Sequence, residues 1–308
     1  MNTLIYKINI IVRSYYHKLL TLPNVEGVGL GYKFINGYNT NKPCIHVLVN
    51  KKIPSHLLPS KYIIPKIYMG ISTDVINIGG KPTQYSLKDK IRPLESGYSI
   101  SADLNKTGTL SCIVFRKHLI GRNYFILSNN HIFANNNKLP IGTKIIQPSY
   151  DDSGLVQIDL VGKLSEFVPL KFSSLVSTYN NYVDAAIAKV TTVDLISNKI
   201  GLIGKLTGVD SPKLNETVKK VGRTTGLTTG KIQTINTTIT IHPPNLPDLL
   251  FKNQIIANIK QDFGDSGSLL VNKDNKVVGL FMGGSTTSTG IFNNFQDVLK
   301  YTNTELYL

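Results

Sequence analysis

Gly264-Asp265-Ser266-Gly267-Ser268-Leu269-Leu270-Val271 sets a serine between glycines and then runs straight into an apolar strand. A serine hydroxyl is a poor nucleophile alone and needs a base, an orienter for that base, and donors for the oxyanion it creates. The flanking glycines let the chain turn tightly and aim the amides of Gly264 and Ser266 into one concave hole. Position 268 is Ser and no helical pattern follows, so this is not the strand-to-helix elbow of an α/β-hydrolase. The same residues also suit an ordinary turn before a strand. Outward from this segment the texture is β-rich. TLSCIVF, NYFILS, AAIAKV, KIQTINTTITI, QIIANI and VVGLFM are short apolar runs separated by turn residues. Helical periodicity is nearly absent from about residue 97 until residues 295–306. The pattern predicts an antiparallel sandwich or barrel closed by one C-terminal helix.

Two further residues fit the chemistry that Ser266 would need. In Phe125-Ile126-Leu127-Ser128-Asn129-Asn130-His131 an apolar strand ends in small polar residues and presents a histidine, as a general base at a barrel rim would require. The other five histidines, His17, His46, His56, His118 and His242, have no comparable frame. Asp184 stands between Val183 and the strand AAIAKV, where an acid is partly buried and needs a partner. A turn aspartate after Asn180-Asn181 is the plainer alternative.

The first 90 residues read differently. Leu4, Ile8, Ile11, Tyr15 and Leu19 recur at helical spacing. GVGLGYKF, with alternating glycines and no helix after it, is a Gly-rich strand rather than a dinucleotide loop. Strands at residues 44–49 and 74–78 and a turn or short helix near residues 55–58 complete a small α/β module. Gly79-Gly80 and SLKDKIRPLESG form a connector, dividing the chain into an accessory module at 1–92 and a second domain at 93–308.

Composition narrows the classes. With 308 residues, 41% hydrophobic and 17% charged, the chain buries a real core. No run of about 18 apolar residues predicts a membrane span. The net charge of +15 is spread along an Asn-, Ile- and Lys-rich chain with no dense basic run or nucleic-acid module, so nucleic acid is a minor alternative partner. Cys44 and Cys112, the two cysteines, lie far apart in strand-like runs; they predict buried free thiols, no disulfide framework and no metal site. With no secretory signal, the expected compartment is the cytoplasm, leaving unconventional export open.

LSNNHIFA, VDAAIA, VGRTTG and GDSGSLLV together resemble the corresponding blocks of trypsin/chymotrypsin-like serine peptidases, most closely a bacterial branch related to the plant narrow-leaf peptidases. RPLESGYSI and IGTKIIQPSYDD are similar to that branch as well. Their order, His131 then Asp184 then Ser266, matches chymotrypsin and neither subtilisin nor the α/β-hydrolases. The resemblance implies two six-stranded antiparallel β-barrels with a cleft between them, His131 and Asp184 on the first and Ser266 on the second. It implies a cofactor-free, metal-free endopeptidase acting on protein or peptide substrates through an acyl-enzyme, with an oxyanion hole of the Gly264 and Ser266 amides. Oligomeric state is left open. Position 132 is Ile where animal trypsins carry a disulfide cysteine, and no Ile-Val-Gly-Gly start precedes the second domain. Asp265 therefore needs a cation from elsewhere, with Arg223 and Lys220 as candidates. The resemblance also walls the primary pocket with residues 260–264 and 281–285. Met282, Gly283 and Gly284 would line it, and Lys260 either sits at its floor, favouring an acidic side chain, or is solvated. The rival readings are a catalytically idle barrel used for binding and a basic nucleic-acid-associated protein.

Overall fold

The computed structural model describes residues 3–35, 37–79, 86–102, 106–174, 176–177, 179–286 and 288–308; Gly80 and the rest of the connector up to residue 85 lie outside them. The chain forms two compact units, residues 1–85 and 86–308.

In the first unit, α1 (Thr3–Ser14) and α2 (His17–Leu20) precede β1 (Val25–Ile35), β2 (Tyr38–Val49), β3 (Ile67–Tyr68) and β4 (Ile71–Asn77). The sheet order is β1-β2-β4-β3, with β2 and β4 parallel and the other pairs antiparallel. Ile8, Ile11 and Leu19 bury against Ile45, Val47 and Val49, the residues of one β2 face. The helical spacing extends through Tyr15, but α1 ends at Ser14. Tyr15 is about half-exposed, and its carbonyl, left without a helical donor, accepts the Tyr68 hydroxyl at 2.8 Å. A second short helix then turns Leu19 back inward.

The alternating glycines of β1 have a packing reason. Gly27, Gly29 and Gly31 stand opposite Leu48, His46 and Cys44 in the antiparallel ladder. A Cβ on Gly31 would lie 2.2 Å from the His46 ring, so this glycine makes room for an imidazole rather than a phosphate.

The second unit is built from sheets that are antiparallel apart from two short parallel pairings at their edges. β5 (Ser99–Ala102), β6 (Gly108–Thr109), β7 (Ile113–Lys117), β8 (Arg122–Ser128), β9 (Lys144–Ile146), β10 (Leu160–Phe167) and, after β11 (Asn180–Asn181), β12 (Ala186–Val190) come first. The one-turn helix α3 (Asn130–Phe133) follows β8, and α4 (Val156–Asp159) precedes β10. A short pair, β13 (Lys199–Ile200) and β14 (Gly204–Lys205), and then β15 (Gly208–Val209) lead to β16 (Thr217–Gly222), β17 (Gly226–Ile241), β18 (Leu249–Asn258), β19 (Leu269–Val271), β20 (Lys276–Thr286) and β21 (Thr289–Asn294). The chain ends with α5 (Phe295–Thr302) and β22 (Glu305–Leu306).

Pairing gives two barrel-like sheets. The first runs β22-β7-β8-β12-β10-β9-β5-β6. In the second, β18-β17-β16-β19-β20-β21 closes on itself because β21 pairs with both β20 and β18. That ring has the expected six strands, while short edge strands extend the first sheet to eight. Apolar residues fill each interior: Ile126, Val161 and Ala186 in the first sheet, and Val218, Ile255 and Phe292 in the second. The closing helix is shorter than the spacing suggested. Asn303, with φ 51°, stops α5 in the left-handed conformation, and Glu305 then pairs with Phe115 of β7.

Candidate active site

β8 carries buried Phe125, Ile126 and Leu127 into the core and ends where Ser128 pairs with Ala186 of β12. The chain then makes one helical turn, pinned by buried Ile132 and Phe133, with the His131 side chain 20% exposed between them. Asp184 lies just before β12, held between buried Val183 and Ala185. The ladder thus brings the two residues together. His131 Nδ1 is 2.5 Å from Asp184 Oδ2, and the His131 amide donates to Oδ1 at 3.2 Å. With its carboxylate on Nδ1, the imidazole is fixed with Nδ1–H as donor and Nε2 left to accept. Two asparagines that the sequence reading did not single out as site residues hold the Asp184 backbone. Asn129 Nδ2 donates to its carbonyl at 2.8 Å, and its amide donates to Asn293 Oδ1 at 2.9 Å.

The Ser266 turn is built around Asp265, which is fully buried. The Asp265 amide donates to the Asp262 carbonyl at 3.1 Å, and Ser268 N–H donates to the Asp265 carbonyl at 2.9 Å. Gly264 and Gly267 take φ of 95° and 98°, where L side chains are strained. A Cβ on Gly267 would stand 2.1 Å from the Thr109 carbonyl and 2.5 Å from Ser128 Oγ. Thr109 of β6 clamps both sides of the serine: its N–H donates to the Ser266 carbonyl at 2.7 Å and its hydroxyl to the Gly264 carbonyl at 2.8 Å. The turn therefore docks against Ser128, the end of the strand that leads to His131. Thr109 has no motif signature, and no sequence signal would have found it. Among the described residues, no hydrogen bond joins the Ser266 hydroxyl to His131, and the amides of Gly264 and Ser266 have no acceptor. Catalytic hydrogen bonds of unliganded sites are often long and tighten only with substrate.

Of the two candidate cations for Asp265, Lys220 reaches it. Lys220 Nζ is fully buried and 2.7 Å from Asp265 Oδ2, which also accepts from Thr225 Oγ1 at 2.6 Å. The amides of Thr224 and Thr225 donate to the other oxygen. Burial holds the Lys220 ammonium below the usual lysine range, and the Asp265 charge partly offsets it. Arg223 instead makes a bidentate pair with Asp152, Nη2–Oδ1 at 2.5 Å and Nε–Oδ2 at 2.8 Å. Burial pushes the Asp152 carboxyl up, but Arg223, Ser99 and Ser149 together hold it below its ordinary range. The strand geometry explains the choice: Lys220 lies in β16 beside β19, whereas Arg223 follows the strand at its rim.

Around the serine, Lys260 is exposed and its carbonyl accepts Thr228 Oγ1. The lysine is thus the outward-facing residue of this stretch, between buried Ile259 and Gln261. Gln261 is buried beneath Gly284, where a Cβ would lie 2.5 Å from its amide nitrogen. Gly283 faces open space, and Met282 is buried with Leu170, Phe251 and Ile291.

The family model named Trypsin matches residues 112–303, more than half of the chain, and the model for the NARROW LEAF 1 N-terminal domain matches residues 5–78. Among solved structures, a Nocardiopsis protease is 16% identical, with 70% of this chain and 98% of that one covered at a TM-score of 0.50. A glutamic-acid-specific serine protease described as using a histidine triad in substrate binding is 15% identical, with 70% and 100% covered at a TM-score of 0.50. At these identities the likeness is one of fold. No curated protein matches the chain.

Proposed function

Because the chain belongs to the trypsin family, we propose that it is a serine endopeptidase that cleaves peptide bonds through an acyl-enzyme. The observation that carries this reading is the 2.5 Å contact between His131 and Asp184, beside a glycine-flanked serine turn docked on the same strand end. Ser266 Oγ attacks the scissile carbonyl while His131 Nε2 takes its proton and later returns it to the leaving amine. Asp184 keeps the imidazole in the required tautomer and stabilises its charged form. The amides of Gly264 and Ser266, which have no acceptor among the described residues, receive the oxyanion. Asp265 serves no chemical step; paired with Lys220, it sets the turn that aims those amides. Trypsins that are switched on by cutting supply this cation from a new N-terminus. A lysine within the same unit supplies the cation without a cut, so the turn does not depend on one.

An active-site fluorophosphonate probe tests the reading. Wild-type protein is expected to label at Ser266, and Ser266→Ala and His131→Ala to lose the label. Asp184→Asn should slow turnover of a peptide substrate by about 10⁴, as loss of the tautomer-fixing carboxylate does elsewhere. Absence of labelling in folded protein would favour the idle binding barrel.

A further inference from the structure

The first unit holds a second cluster of chemically active side chains, unconnected to the peptidase reading. Cys44 and His46 share one face of β2, and Asp74 of β4 stands directly opposite His46 in the parallel ladder. One ligand atom from each residue lies within 4.8 Å of the other two. Cys44 is fully buried, while His46 and Asp74 are partly exposed, so the cluster has an open side. Counting cysteines missed it, since a mixed ligand set needs only one, and Cys44 meets Asp74 only through strand register.

We propose that Cys44, His46 and Asp74 bind a single zinc ion, with water as the fourth ligand. Tetrahedral zinc with sulfur, nitrogen and oxygen ligands sets its donors roughly 3.5 Å apart, so closing the cluster needs side-chain movements of about 1 Å. The surroundings are organised as metal ligands require. His46 Nε2 lies 2.8 Å from the Tyr32 carbonyl, which can only accept, so Nε2 carries the proton and Nδ1 keeps its lone pair. Asp74 Oδ2 accepts the Phe34 amide at 2.7 Å, which orients the carboxylate and leaves Oδ1. The β1 ladder leaves space for the imidazole at Gly31 and for no side chain there. A thiolate, an imidazole and a carboxylate together suit zinc better than calcium or magnesium, which take oxygen ligands.

The Lys33 ammonium is held by the Thr73 carbonyl at 2.8 Å. A divalent ion displaces the thiol proton to solvent, turns the repulsion between sulfur and carboxylate into shared attraction, and needs no redox partner. The site has three protein ligands on two adjacent strands and keeps an open position at its fourth ligand.

The test uses the full chain, freed of metal and titrated with Zn²⁺ and with Co²⁺. One equivalent is expected to bind, and Co²⁺ to give thiolate-to-metal charge transfer in the near ultraviolet. Cys44→Ser should abolish that band. Asp74→Asn and His46→Gln should weaken binding by roughly tenfold or more. Gly31→Ala removes no ligand but drives a methyl into the imidazole, and should weaken binding too. Cys112→Ser, in the other unit, should change nothing. If Cys44→Ser fails to fold by circular dichroism, the partly exposed Asp74 and the Gly31 variant decide the matter. No cobalt band with the wild-type chain, or binding unaltered in the Asp74 and Gly31 variants, overturns the assignment.

Discussion

Asp265 and Lys220 are two opposite charges with no exposure to solvent, and each offsets the burial of the other, with Asp265 also accepting from Thr225 Oγ1 and the Thr224 and Thr225 amides. Replacing one partner leaves the other charge buried. Lys220→Met is therefore expected to cost about 3–5 kcal/mol in urea unfolding and to slow probe labelling of Ser266, since the turn loses its anchor. Arg223→Met should leave labelling largely intact, because Arg223 spends both its hydrogen bonds to a carboxylate on Asp152. Equal effects of the two substitutions would show that the pair does not set the turn. At this scale the sequence was readable wherever chemistry demands a residue type: a serine between glycines, a histidine after a strand, an aspartate before one. It narrowed the cation to two candidates but had no means to choose, because the choice depends on which lies in the strand beside β19. Thr109 and Asn293 act mainly through hydrogen bonds that no local pattern announces. The Cys44 cluster was hidden for the same reason, with its acid on another strand.

At the scale of elements, apolar alternation and turn residues located the strands of the second unit, and tertiary pairing then decided their ends. The run read as helix over residues 295–306 has its last residues in β22, because β7 offers an unpaired edge once Asn303 has stopped α5. The serine turn shows the converse, an element whose shape is imposed by its neighbours. Gly267 cannot carry a Cβ: its φ of 98° is strained for L residues, and the Thr109 carbonyl fills the space. Because that contact is backbone, it cannot swing aside as a side chain would. Gly267→Ala is expected to destabilise the protein by about 1–3 kcal/mol and to abolish labelling. Gly283→Ala, whose Cβ would meet nothing within 4 Å, should keep the stability of the wild type. A Gly267→Ala protein that labels normally would mean that the turn does not need its docking on β6 and β8.

For the whole molecule, the two units divide the chemistry between them. His131, Asp184, Ser266, Thr109, Asn129, Asn293, Lys220 and Asp265 all belong to residues 86–308, and so does each hydrogen bond described for the serine turn. The cysteine cluster belongs wholly to residues 1–85. A zymogen whose cation arrives from a cut terminus would leave the aspartate beside its serine unpaired until the cut, whereas the Lys220 side chain pairs with Asp265 in the uncut chain. We therefore propose the first unit as a retained accessory domain rather than an activation peptide. Expressed alone, residues 86–308 should label at Ser266 at a rate within a few-fold of the full chain, and cleavage before residue 86 should not switch activity on. The proposal would be sunk by a shortened chain that folds, by circular dichroism and cooperative unfolding, but labels a hundredfold more slowly. In that case the first unit would have to complete the site, and the Lys220–Asp265 pair would not suffice to hold the oxyanion amides in position.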